Sequence, residues 1–283
     1  MIVDVHTHMF PPRMIARRGR LVPLDDGFAE LYGSAKARMV SAEALLASMD
    51  EAGVDVAVVC GFWWRDPAMA EEHAAYLLDE AAASGGRLVP FVPFAGTPPE
   101  AFEDAIDRLV RLGARGFGEV RLGQADPDHL ETLLVAAATR GLPVLVHASE
   151  AAGHAYAGKT GGHTPADLWR TLEAHPDLRV IAAHWGGGFP FFGLMPEVRA
   201  VIEAGRLAFD TAATRFLYEP RVFDLGAGLV GTNAVMWGSD FPLRAQQEDR
   251  ADLEVAVEDE ATRRAFLGEN AARFLGIEPP PAR

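Results

Sequence analysis

A chain of 283 residues, 49% hydrophobic and 23% charged, has the makeup of a globular protein. Its length suits one large domain or two small ones. Forty acidic side chains against 26 basic ones leave a formal net charge of −14, which disfavours nucleic acid or an anionic membrane as a partner.

One cysteine, Cys60, excludes an internal disulfide and a thiolate zinc cluster, and suits a reducing compartment. No apolar run reaches the roughly 18 residues that a bilayer span needs. The start, Met1-Ile2-Val3-Asp4-Val5-His6, is acidic by its fourth residue and does not read as a signal peptide. The expectation is a cytoplasmic protein with a small-molecule substrate, no nucleic acid and no membrane; a homo-oligomer is left open.

Short apolar runs predict strands at Ile2–His6, Val54–Cys60, Leu88–Phe94, Gly116–Arg121, Val144–His147, Val180–His184, Leu207–Asp210 and Val235–Gly238. Several are almost wholly apolar, as parallel strands covered on both faces are. The stretch Met9–Val40 after the first strand is long and irregular and is expected to form a lid at 9–40 over the barrel mouth. Ser41 is placed to cap a helix with Leu45, Leu46 and Met49 on its apolar face, and Gly53 to end it. Thr97-Pro98, Asp126-Pro127 and Thr164-Pro165 each set a cap residue before a proline at the first helical position, and Gly113 and Gly141 stop helices. The three prolines of Glu278–Arg283 predict a frayed tail at 278–283.

Eight strands alternating with helices in a chain of 283 residues predict an α/β fold, a single-domain (β/α)8 TIM barrel over 1–277, since such barrels typically take about 250 residues. A doubly wound sheet usually has fewer strands and a glycine-rich turn after the first one. Here the first strand runs into His6-Thr7-His8 instead.

Four of the nine histidines, His6, His8, His147 and His184, fall at predicted C-terminal strand ends, where barrel enzymes build their sites. The spacing of His6 and His8 puts both rings on one side of an extended strand, able to share an ion. Asp240, in Gly238-Ser239-Asp240-Phe241-Pro242, closes the last strand. Glu119 lies between Phe117 and Val120 on the fourth strand and needs a cation, either a metal or an arginine such as Arg115 or Arg121. His73, His129 and His175 lie on helices and are expected at the surface. Along the rim, Trp63, Arg121, Glu150, Lys159 and Trp185 are the expected substrate contacts, and the loop after the fifth strand, with Glu150, His154, Tyr156 and Lys159, is expected to supply at least one. Aromatic faces there suit an organic body and a guanidinium suits a carboxylate.

Taken in order, His6-x-His8, Leu142-Pro143-Val144 leading to His147, Ala183-His184-Trp185-Gly186-Gly187-Gly188 and the Asp240 motif resemble the amidohydrolase superfamily. More narrowly they resemble its amidohydrolase-related branch, which also holds decarboxylases related to aminocarboxymuconate semialdehyde decarboxylase. The likeness runs from Val3–His8 to Asn270-Ala271-Ala272-Arg273-Phe274-Leu275. It implies His6, His8, His147 and Asp240 as metal ligands, and His184 as a second-metal ligand or a catalytic acid/base. Glu119 stands where two-metal members of the superfamily carry a bridging group. The implied cofactor is one or two divalent ions, Zn²⁺ first and Mn²⁺ as the alternative.

The activity expected from this likeness is metal-dependent hydrolysis of an amide, ester or lactone. Water on the metal ionises near pH 7 instead of about 15.7; Asp240 takes its proton and His184 serves the leaving group. The alternative is non-oxidative decarboxylation at the same site.

Overall fold

Residues 1–95, 101–121, 127–150, 152–159 and 162–278 are described by a computed structural model. Eight parallel strands are hydrogen-bonded in chain order: β1 (Val3–His8), β2 (Val56–Cys60), β3 (Leu88–Val92), β4 (Gly116–Val120), β5 (Pro143–Val146), β6 (Arg179–Ala182), β7 (Leu207–Asp210) and β8 (Val235–Met236). An outer helix follows each: α1 (Ala42–Ala52), α2 (Pro67–Ala83), α3 (Phe102–Arg111), α4 (Pro127–Thr139), α5 (Pro165–Ala174), α6 (Pro196–Glu203), α7 (Val222–Val230) and α8 (Gln246–Ala256). The sheet nearly closes through bonds just past β8. Val5 N–H donates to Trp237 O at 3.0 Å, Asp240 N–H to His6 O at 2.9 Å and His8 N–H to Phe241 O at 2.7 Å. Gly238 permits this approach, since a Cβ there would lie 2.9 Å from the Cβ of His6. The fold is the expected (β/α)8 barrel.

Alternate strand residues divide between two apolar clusters, as a two-residue period requires. Val5, Val58, Phe91, Leu145, Ile181 and Met236 meet in one, which also takes up Phe274 and Leu275 of the C-terminal helix Asn270–Leu275. Val59, Val92, Phe117, Val146, Val180 and Phe209 belong to the other, with the buried faces of the outer helices. β1 runs two residues past its predicted end, to His8, whereas β3, β4, β5, β6 and β8 stop one or two residues short. His147 and His184 therefore stand just beyond their strands.

Helix punctuation follows local chemistry in part. Thr164 and Asp167 form a reciprocal capping box at α5. Gly53 ends α1 in the left-handed region, but the Ser41 side chain makes no cap bond. Thr97-Pro98, Asp126 and Pro279–Arg283 lie outside the described residues. Among the described residues no helix is long and apolar enough to cross a membrane.

The segment read as irregular is largely helical, with short helices at Pro12–Ala16, Arg18–Leu21 and Asp26–Tyr32. Its buried Phe10, Met14, Leu21 and Phe28 form an apolar cluster with Phe62 and Trp64 from the loop after β2. His73, expected at the surface, is fully buried beneath this cluster. Its Nε2–H donates to Met9 O at 2.7 Å, and its Nδ1 accepts from Trp64 Nε1–H at 3.1 Å and Phe62 N–H at 3.3 Å. The apolar face of α2 points inward at this position, so a helical place did not mean an exposed one. His175 is buried as well, 3.3 Å from Glu131, and His129 is half-buried.

Burial holds the His73 imidazole down at about 4, against the opposing pull of the Met9 carbonyl. Between pH 6.5 and 4 the unfolded chain therefore gains a proton that the folded one refuses. Stability is full above pH 6.5 and falls as the pH drops through that window, by up to about 1.4 kcal/mol per unit. His73→Gln will show a shallower fall in urea midpoint from pH 7 to 4.5 than the parent, both in chelator. Parallel curves would show that His73 is not the neutral anchor.

Candidate metal centre

Six polar side chains converge at the C-terminal ends of the strands, where the ladder stops and side chains turn inward. β1 carries His6 and His8 and β4 carries Glu119. His147, His184 and Asp240 follow β5, β6 and β8. Except for Asp240, which keeps some exposure, they are buried.

The distances sort them into overlapping groups. His6 Nε2 lies 3.1 Å from His8 Nε2, and Asp240 Oδ1 lies 3.8 and 3.4 Å from the same two nitrogens. Glu119 Oε1 lies 2.7 Å from His147 Nδ1 and 3.4 Å from His184 Nε2, and these two rings are 3.2 Å apart. Glu119 Oε2 faces His8 Nε2 at 3.6 Å, and Oε1 is also 3.6 Å from His6 Nε2. Three triads each fit one ion: His6, His8, Glu119; His6, His184, Asp240; and Glu119, His147, His184. Ligand bonds of about 2.1 Å put neighbouring donor atoms about 3–3.5 Å apart, close to these spacings. His147 groups with Glu119 and His184 rather than with His6, His8 and Asp240. Glu119 takes histidine partners, not Arg115 or Arg121.

The outer ring atoms support the same fit. His6 Nδ1 is 2.8 Å from Asp210 Oδ2, His147 Nε2 is 2.8 Å from Gly158 O and His184 Nδ1 is 3.1 Å from Ala212 O. Each acceptor takes the N–H of its ring, so the other nitrogen faces the centre and is the one that would offer a lone pair to an ion. This donor set of imidazole and carboxylate suits a divalent ion such as Zn²⁺ or Mn²⁺.

Charge is arranged to match. Burial alone would raise the Glu119 carboxyl, but His147 and His6 outweigh it and hold it well below the usual range. Burial would likewise raise Asp240; the bond from His8 and the charges of His6 and His184 pull it down. The imidazole of His147 is held down by burial, which Glu119 only partly offsets.

Above the cluster opens a cavity of about 390 Å³. Of the expected substrate contacts, Arg121 and Trp63 line it. Arg121 is buried, with Nη2–H donating to Gly158 O at 3.0 Å. Three do not line it. Glu150 and Lys159 pair with each other at 3.6 Å, and Lys159 Nζ donates to the carbonyls of Ala152 and His154; their loop neighbours His154 and Tyr156 face the cavity instead. Trp185 is buried against α7 over Gly226, its indole N–H donating to Thr214 Oγ1 at 2.8 Å. Left-handed backbone at His184 and Trp185 sends the two side chains to different places. Gly187 follows because a Cβ there would meet the Ser149 backbone at 2.6 Å. The sequence reading passed over Tyr32, Arg38, Phe62 and Phe216, which complete the wall, and Asp210 beneath it. Asp210 had a readable signal, an acid ending a strand as Asp240 does.

Residues 3–277 match the family model described as Amidohydrolase (Amidohydro_2). The chain belongs to this amidohydrolase-related family. Over 126 residues it is 29% identical to 2-amino-3-carboxymuconate-6-semialdehyde decarboxylase of Dictyostelium discoideum, a stretch that is 37% of this chain and spans only 33% of that relative. Its backbone is similar to 5-carboxyvanillate decarboxylase from Sphingomonas paucimobilis, with TM-score 0.73, 16% identity and coverage of 98% of this chain and 99% of the other. It is also similar to 5-carboxyvanillate decarboxylase from Novosphingobium aromaticivorans, solved with manganese and 4-hydroxy-3-methoxy-5-nitrobenzoic acid; there the TM-score is 0.77 at 16% identity, covering 98% and 96%. These findings overturn the expectation of a hydrolase of amides, esters or lactones. The curated relative and these solved neighbours of the amidohydrolase-related chain are decarboxylases, so the alternative reading is the one carried forward.

Proposed function

We propose that this enzyme is a metal-dependent, non-oxidative decarboxylase of a small aromatic or conjugated carboxylic acid. The observation that carries the reading is a histidine and carboxylate cluster opening into a cavity walled by Tyr32, Phe62, Trp63 and Phe216, with Arg121 also in its lining. Flat aromatic walls suit a planar substrate, and a guanidinium suits its carboxylate. The decarboxylase relatives support it.

The reaction exchanges CO2 for a proton. The bond from the ring or chain carbon to the carboxylate breaks, the electron pair stays on carbon, and a proton fills the vacated position. Asp240 lines the cavity, and it is the group assigned to hold and deliver that proton. Arg121 orients the carboxylate, and the aromatic wall excludes water. His6, His8, Glu119, His147, His184 and Asp240 would hold divalent metal, either Zn²⁺ or Mn²⁺, which when bound polarises a substrate oxygen. We assign two ions, because the two oxygens of Glu119 face different histidines.

The test is CO2 release from a panel of hydroxylated benzoic acids and conjugated acyclic acids, with Zn²⁺ or Mn²⁺ loaded, in D2O. A substrate should lose CO2 and gain one deuterium at the vacated carbon. A metal-loaded protein that releases no CO2 from any of them sinks the reading. With a substrate in hand, Arg121→Met will raise KM by about 10- to 100-fold, the worth of a hydrogen bond to a charged group, with a smaller change in kcat. An unchanged KM would remove Arg121 from the carboxylate.

A further inference from the structure

We propose that Asp210 is the positioning residue of the centre, setting the tautomer of His6 and fixing the backbone that aims His184. The inference rests on reading His6 as a metal ligand, and it is independent of decarboxylation. Asp210 is the last residue of β7 and is wholly buried. It does not line the cavity, so it acts through its neighbours. Oδ2 lies 2.8 Å from His6 Nδ1, and Oδ1 accepts from the backbone N–H of His184 at 2.8 Å and of Ala212 at 3.0 Å. One carboxylate thus ties the metal-facing ring of β1 to the turn that follows β6.

Both ties bear on function. Oδ1 already accepts two backbone N–H groups and Oδ2 stands as the acceptor for the ring, so His6 places its proton on Nδ1 and turns Nε2 to His8, Glu119 and Asp240. His184 has φ 56° and ψ 48°, a region that residues with a Cβ rarely hold. The acceptor at its N–H secures that turn, and the turn points the imidazole at Glu119 and His147 while Trp185 goes to α7.

Asp210→Asn separates the two ties. The N–H groups of His184 and Ala212 still need an acceptor, so the amide oxygen takes the place of Oδ1 and the NH2 group faces His6. Two N–H donors cannot meet there, so His6 must move its proton to Nε2, where the ligand lone pair belongs. Competition with a chelator should show Zn²⁺ and Mn²⁺ bound about 10- to 100-fold more weakly, with the thermal midpoint of the metal-free variant close to that of the parent. In the Zn²⁺-loaded parent, ¹⁵N spectra should show the His6 proton on Nδ1, bonded and slow to exchange. Asp210→Ala removes both ties and should lose the metal affinity and lower the thermal midpoint as well.

Asp210→Asn binding Zn²⁺ as tightly as the parent overturns the inference. So does a parent spectrum with the His6 proton on Nε2, which decides the matter even if the variants do not fold. A parent that takes up no divalent ion defeats the metal-centre reading and this inference with it. Tight binding in the parent with an unaffected variant overturns the inference alone.

Discussion

Asp240→Asn will lower kcat by about 10²- to 10⁴-fold, the range that positioned acid–base groups contribute. The substitution changes little else. Asparagine is nearly isosteric, and it tolerates the left-handed backbone at this position, where φ is 58°. The bond from Asp240 N–H to His6 O at 2.9 Å, which helps to close the barrel, is kept. An amide cannot hold a proton at an oxygen and release it to carbon, so the group that would complete the exchange for CO2 is lost. The comparison is made at saturating metal, because Asp240 Oδ1 also stands 3.4 Å from His8 Nε2 in the cluster and an amide oxygen is a weaker ligand. A variant that turns over its substrate at the parent rate removes Asp240 from the chemistry, whatever the fold.

Glu119→Gln should cut metal content after dialysis from two equivalents to one. The loss in affinity for the second ion should exceed the roughly 10- to 100-fold that outer-ring partners are worth. In the parent, Oε1 faces His147 and His184 while Oε2 faces His8. Both oxygens of a carboxylate can ligate. An amide has one oxygen, and its NH2 group would be driven against an imidazole lone pair. Burial adds to the cost, since the side chain sits among charges with little water to replace what it loses. Elemental analysis of parent and variant decides it. One equivalent in both proteins would establish a single ion and leave Glu119 as a partner that orients His147.

Much of this was legible in the chain because it is written locally. A parallel strand covered on both faces must be a short apolar run, so all eight strands stood out between capped and glycine-stopped helices. A costly polar side chain in or ending such a run is conspicuous, which is why His6, His8, Glu119, His147, His184 and Asp240 stand out in the sequence. The sign of the chemistry was not local. A hydrolase and a decarboxylase can use the same metal ligands, and it is the decarboxylase relatives that favour the second.

The tertiary structure decided what depends on residues far apart. Strand order brings β4, β5 and β6 side by side, so His147 joins Glu119 and His184 although the sequence suggested His6, His8 and Asp240 as its companions. Loop side chains were the least predictable. Trp185 looks like a rim aromatic, yet a left-handed turn and the bare face of Gly226 draw it into the wall, while Tyr32, 153 residues earlier, reaches the cavity from the segment after β1. His73 was misplaced for a similar reason: its helix has an inward face, and what lies beneath it is Met9 from another part of the chain. The barrel and its polar strand ends are written in the chain's local pattern, because strand burial is a short-range property. Which of those ends stand close enough to hold an ion together, and which loops wall the cavity, followed only from closure of the sheet and the packing of distant segments.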